Sequence, residues 1–206
     1  MGDKGIKAVS TSIYINAPSW LEIPNGNTSY FELSKNATKE NVDLFLFSLF
    51  IYNDIPLSDN SSSSISNMCY HFNTTNGVAL GGGLMFFEGA KRILPSCCCG
   101  LEQWAEIVDN ISHKKEVWLG HDPTPIVVYQ EDSILVWSND YREKAHIEPK
   151  SDLINIEFSR TDLEYCFAQL KTDIREFLEI PFSKRLNELD KINSDRLLSV
   201  VMKWLL

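Results

Sequence analysis

The chain has 206 residues, 44% hydrophobic and 23% charged, a balance that supplies a buried core and excludes wholesale disorder. Its formal net charge of -9 repels phosphate backbones and anionic lipid, so nucleic acid and membranes are excluded as partners and a basic protein is the electrostatic match. No basic start leads into an apolar run, no stretch approaches a bilayer span, and three of the five cysteines are adjacent and not spaced as a disulfide framework; together these predict a cytoplasmic protein.

Two short β-branched or aromatic runs, at 12–17 and 29–33, are separated by Pro18, Pro24 and the turn pair Asn25-Gly26 and predict strands. From Thr38 the spacing of Val42, Phe45, Leu46, Leu49 and Phe50 predicts a helix, which Asn53-Asp54 ends. Residues 58–67 hold four consecutive serines and predict a flexible loop. Cys69 to Phe72 and Val78 to Phe87 predict strands around an Asn76-Gly77 turn. The glycines Gly81 to Gly83 lack the Lys-Ser/Thr of a phosphate loop and predict a bulge or the close approach of another element.

Residues 117–119 predict a short strand, 125–130 and 133–138 a hairpin turning at Glu131-Asp132, and 153–158 a further strand. Thr161 with Glu164 forms a capping-box pattern ahead of the stripe Leu163, Phe167, Leu170, Ile174 and Phe177. Pro181 is expected to stop that helix, a shorter one through Leu186 and Leu189 follows, and Ser194 caps a last one carrying Leu197, Leu198, Val201, Trp204 and Leu205. Strands joined mostly by short connections predict an α+β fold, a mainly antiparallel sheet with helices packed on one face and a helical C-terminus, in a single globular domain over 1–206.

The chemically unusual stretch is Leu94 to Pro123. Leu101, Trp104, Ala105, Val108 and Ile111 have helical spacing, which predicts a helix from near Ser96 to near His113 with the cysteines at its start. Unpaired N–H groups and the dipole at such a start stabilise a thiolate. In that geometry Cys97 lies over Leu101 on the buried side and Cys98 or Cys99 is the exposed thiol. A catalytic set would combine Cys98 or Cys99 with His121 and Asp122, the imidazole acting as base. Three consecutive thiols are poor spacing for tetrahedral zinc, because neighbours on a helix diverge by about 100°, so no metal site is predicted, although two thiols with His71 or His121 are conceivable. No cofactor motif is present. The plainer alternatives are cysteines that pack a strand-to-helix junction, an Asp122 that satisfies a proline-stiffened turn, and a solvated face at Glu102, Glu106 and Asp109.

Arg92-Ile-Leu-Pro-Ser-Cys-Cys-Cys-Gly-Leu-Glu-Gln-Trp, then Trp118-Leu-Gly-His-Asp-Pro and Val136-Trp-Ser, resembles a block found in a family of small uncharacterised bacterial proteins. The resemblance implies a bacterial relative and carries no activity with it. Acidic charge without a cofactor motif or a well-formed catalytic signature points to a non-enzymatic, macromolecule-binding protein, an immunity-like inhibitor of a basic partner. The alternative is a cysteine-dependent or metal-dependent enzyme centred on Cys97 to Cys99 and His121.

Overall fold

The computed structural model describes residues 3–11, 17–23, 30–75, 77–142 and 153–206. In chain order the elements are β1 (Lys4–Thr11), β2 (Tyr30–Glu32), α1 (Lys39–Tyr52), α2 (Ser61–Thr74), β3 (Gly83–Glu88), β4 (Lys91–Ile93), a 3-10 turn (Leu101–Gln103) leading into α3 (Trp104–Ser112), β5 (Ile126–Tyr129), β6 (Ser133–Trp137), β7 (Asn155–Ser159), α4 (Arg160–Phe177), α5 (Ser183–Leu189) and α6 (Ser194–Leu205). Strand pairing is antiparallel, the strands form two sheets, and the C-terminus is helical: an α+β fold, as the sequence predicts. The chain divides into two compact units, Met1–Val9 with Gly82–Lys171, and Ser10–Gly81 with Thr172–Leu206.

In the first unit β3 lies between β1 and β4, with Lys4 opposite Glu88 and Val9 opposite Gly83 on one side and Phe86 opposite Ile93 on the other. β6 lies between β5 and β7, pairing Ile126 with Trp137 and Val136 with Ile156. The β5–β6 hairpin and β7 fall where alternation places them. β7 runs straight into α4, and this moves the cap. Ser159 Oγ accepts the Asp162 N–H at 3.1 Å while the Asp162 carboxylate accepts the Ser159 N–H at 3.1 Å, a reciprocal box two residues upstream of the expected Thr161–Glu164 pair. Lys4 Nζ, 2.9 Å from Asp162, and the Ser159 hydrogen bonds hold that carboxyl below its usual pKa. Gly83 accounts for part of the glycine run. A Cβ there would lie 2.7 Å from Pro95 Cβ, so its absence lets the segment after β4 rest on β3.

The second unit is built on α1, whose residues Val42 through Phe50 are all buried, as expected of a helix that is apolar all round. Phe45 meets Phe177 and Phe182 edge-on, at ring separations of 5.1 and 5.3 Å. Two expectations fail here. Residues 61–74 form helix α2 where a loop, a strand and a hairpin were predicted; Asn76 itself lies outside the described residues. The serines occupy the helix start, where Asn60 accepts the Ser63 N–H at 2.9 Å and the buried Ser64 hydroxyl accepts from the Ser58 N–H at 3.0 Å. Ile65, Met68, Cys69 and Phe72 then supply a buried stripe, and α2 packs on α6. Pro181 also fails to stop the helical path. It sits in a π-helical turn, Leu178–Phe182, that joins α4 to α5, where the wider hydrogen-bonding pattern accommodates a residue without a donor.

Of the other differences, β1 and β4 were not foreseen, and residues 117–119 form no strand. Residues 12–16 of the first expected strand lie outside the described residues. The expected cap Ser194 is the first residue of α6, and its hydroxyl donates to Asn187 Oδ1 at 3.0 Å.

Asp43 of α1 is fully buried and paired with Arg185 of α5. Arg185 Nε and Nη2 donate to its two carboxylate oxygens at 2.6 and 2.9 Å, Nη2 also donates to the Trp20 carbonyl at 2.9 Å, and the Glu22 N–H meets Asp43 Oδ2 at 2.8 Å. Removing one member leaves an uncompensated buried charge, so Arg185→Ala is expected to cost about 3–5 kcal/mol, read from urea midpoints. Arg185→Lys, which cannot reproduce the two-point contact, should recover only part of it. A cost under about 1 kcal/mol for Arg185→Ala would show that the pair does not hold α1 to α5.

Candidate functional site

After β4 the chain does not enter a helix at Ser96. Residues 94–100 run extended with a reversal, Gly100 flanks the 3-10 turn with φ -86° and ψ 157°, and regular helix begins only at Trp104. Trp104, Ile107 and Ile111 anchor α3 at i, i+3 and i+7. The helix expected over 96–113 is therefore about two turns shorter at its start. The cysteines do not sit on a helix N-terminus, and the thiolate stabilisation expected from that position does not operate.

What organises the cysteines is the segment ahead of β5. Cys97 and His121 form an isolated antiparallel bridge, with the His121 N–H donating to the Cys97 carbonyl at 3.4 Å. Gly120 makes this approach possible. Its φ is +90°, and a Cβ there would collide with the Cys97 carbonyl oxygen and lie 3.0 Å from Ser96 Cβ. The buried Ser96 hydroxyl lies between two carbonyl oxygens, that of His121 at 2.6 Å and that of Pro123, with one proton to donate. Asp122 has φ +62° and is joined to Pro123 by a cis peptide.

Cys98 adopts φ +67°, and this left-handed residue reverses the path between its neighbours. Cys97 and Cys98 both end up exposed while Cys99 is buried, so the expectation fails at Cys97, which is outside, and of the two candidates for the exposed thiol it is Cys98 that is exposed. Cys97 Sγ lies 3.7 Å from His121 Nδ1 and also contacts the His121 carbonyl. The Sγ atoms of Cys97 and Cys98 and a ring nitrogen of His121 all fall within 4.8 Å of one another. The exposed Trp118 meets the His121 ring edge-on at 5.9 Å, restricting one side of the imidazole.

The thiols differ electrostatically. Contact with the Cys97 thiol, slight desolvation and the Asp122 carboxylate push the Cys98 thiol up from its ordinary value. Cys99, beside a small void lined by Leu84, Ile93, Leu119 and Pro125, has its pKa pushed up to about 11 by burial with help from Glu102, and its Sγ reaches Gln103 Oε1 at 3.7 Å. Asp122 is exposed beside His121, and its carboxylate acts on the centre by charge. His71 lies in the other compact unit, in α2.

The geometric objection to a metal falls with the helix. A tetrahedral ion with M–S near ~2.3 Å and M–N near ~2.0 Å separates sulfur from nitrogen by about 3.5 Å, close to the observed 3.7 Å. Of the expected set Cys98, Cys99, His121 and Asp122, the structure brings Cys98 and His121 together, adds Cys97 and turns Cys99 inward. The sequence signals for this arrangement were Gly100 and Gly120. No family model, curated protein or solved structure matches this chain.

Thiol labelling at neutral pH should modify Cys97 and Cys98 first and leave Cys69, Cys99 and Cys166, each raised by burial, unreacted in the folded protein. Cys99→Ser should cost about 1–3 kcal/mol in urea stability if its hydroxyl finds no partner, and Cys98→Ser almost nothing. Fast labelling of Cys99 would contradict the inward placement.

Proposed function

We propose that this chain binds a thiophilic metal ion, of the zinc(II) or copper(I) class, through Cys97, Cys98 and His121. The observation that carries the reading is the convergence of two thiol sulfurs and one imidazole nitrogen within 4.8 Å on an accessible surface. Soft thiolates with a borderline imidazole favour such ions over magnesium or calcium, which take oxygen ligands. Metal binding displaces the thiol protons, and three protein ligands leave a fourth position for water or a substrate, the pattern of catalytic rather than closed structural zinc. This is the metal-dependent form of the cysteine-centred alternative.

The test is titration of reduced, metal-stripped protein with Co(II) and Zn(II), followed by sulfur-to-cobalt charge-transfer absorption and by elemental analysis after dialysis. One equivalent is expected. Cys97→Ser or Cys98→Ser should weaken binding at least 100-fold and His121→Ala about 10–100-fold. The absence of stoichiometric binding, or binding unchanged in both cysteine variants, would overturn the reading.

A second reading rests on the formal charge of -9. A field of that sign suits a basic macromolecular partner, as for an immunity-like inhibitor in the bacterial cytoplasm, and disfavours nucleic acid. Among the described residues no helix is long and apolar enough to cross a membrane. Retention of a partner from host lysate at low salt and its release near 0.5 M salt supports this reading; retention indifferent to salt counts against the electrostatic basis.

A further inference from the structure

The first unit contains a second concavity, a cleft of about 390 Å³ among α3, the β5–β6 hairpin and α4. Its floor is apolar, made by Ile111, Ile134, Leu163 and Phe167, with the Tyr129 ring at its side. At roughly 30 Å³ per water, the space suits a ligand of up to about thirteen non-hydrogen atoms, within the range of small-molecule sites.

The charged groups on its rim are not equivalent. Arg160 Nε is paired with Glu164 at 3.3 Å, and His113 Nδ1 lies 3.1 Å from an Asp109 carboxylate oxygen. Lys114 is held at the hairpin turn, its ammonium donating to the Gln130 and Glu131 carbonyls at 3.2 and 3.1 Å. The Tyr129 hydroxyl donates to the Lys115 carbonyl at 2.6 Å. The carboxylates of Glu131 and Asp132, by contrast, make no hydrogen bond or ion pair with another described residue. With the Arg160–Glu164 pair neutral, Lys114 against Glu131 and Asp132 leaves the rim negative beside an apolar floor and two aromatic rings.

We propose that this cleft binds an amphipathic organic amine, its apolar body on the Ile111–Ile134–Leu163–Phe167 floor and its ammonium toward Glu131 and Asp132. The aromatic rings reinforce the preference for a cation, and the overall negative charge raises the local concentration of cations. An aryl-alkyl amine with a two-carbon spacer has the size and polarity the cleft selects. This site shares no residue with Cys97, Cys98 and His121 and does not depend on a metal there.

The probes are 2-phenylethylamine, its neutral analogue 2-phenylethanol and the anion 3-phenylpropionate, titrated into metal-free protein and followed by amide chemical shifts of Ile111–Lys114 and Ser133–Ile134. Saturable binding of the amine is expected, at least fivefold tighter than the alcohol, with the carboxylate weakest. The surface double change Glu131→Gln with Asp132→Asn should bring the amine to the affinity of the alcohol and leave the alcohol unchanged. Phe167→Ala should weaken both at least threefold, and where that variant folds poorly the loss of the amine's advantage at 0.5 M salt reads the same preference. Cys97→Ser with Cys98→Ser should bind the amine normally. No saturable amine binding, no preference over the alcohol, or full affinity in the Glu131/Asp132 variant would overturn the proposal.

Discussion

The Cys97–Cys98–His121 centre depends on one close backbone approach, that of Gly120 to the Cys97 carbonyl. Two independent constraints meet at this glycine. Its φ of +90° costs an ordinary residue on the order of 1–3 kcal/mol, and the space a Cβ would need is filled by the Cys97 carbonyl oxygen and the Ser96 side chain. Because the approach is permitted, His121 lies opposite Cys97 and the Ser96 hydroxyl can reach two carbonyls on the facing segment. Gly83 does similar work one layer below. By leaving room for Pro95 against β3 it fixes where the cysteine segment begins, so one member of the glycine run helps position the centre without touching it.

Three identical side chains in a row acquire three different environments through backbone conformation alone. On a regular strand Cys97 and Cys99 would share a face, and on a helix successive side chains would diverge by about 100°. The left-handed Cys98 breaks both rules, turning two sulfurs outward and one inward. Burial then separates their chemistry. Cys99, near pKa 11, is a packing residue, whereas the outer pair lies at the surface, where a bound cation would not carry the large desolvation cost of a deep site.

Most of α4 and the β5–β6 hairpin were legible in the sequence from the spacing of their apolar residues, and α1 from a helical spacing that persists although its other faces are apolar too. β1 was not, because Gly5 leaves its side-chain position to the Phe87 ring and the strand shows no alternation of buried and exposed residues. In α2 the helical stripe Ile65, Met68, Cys69 and Phe72 was present, but the serines that serve at its start resembled low-complexity linker, and Cys69 to Phe72 on its own looked like a strand. The site was legible as a set of residue types and illegible as an arrangement. The positive φ values that create it fall on Cys98 and Asp122 as well as on Gly120, and only the glycine announces such a conformation in a sequence.

The contacts that build the centre and the atoms proposed to bind a metal are largely different groups. Ser96, Gly120 and Cys99 hold the two segments together through backbone, hydroxyl and packing contacts, while the sulfurs of Cys97 and Cys98 and the His121 ring project from that frame. In a small zinc domain the ion supplies the folding energy, so losing a ligand unfolds the protein. Here β3, β4 and α3 flank the cysteine segment and β5 follows the His121 segment, so the frame is held by contacts that involve no metal ligand atom. Preorganisation of this kind lowers the ordering cost of binding, and it makes loss of ligation separable from loss of structure. A frame that needs no metal for its stability, yet aims two thiols and an imidazole outward, suits reversible capture or chemistry at an open coordination position better than a permanent structural role.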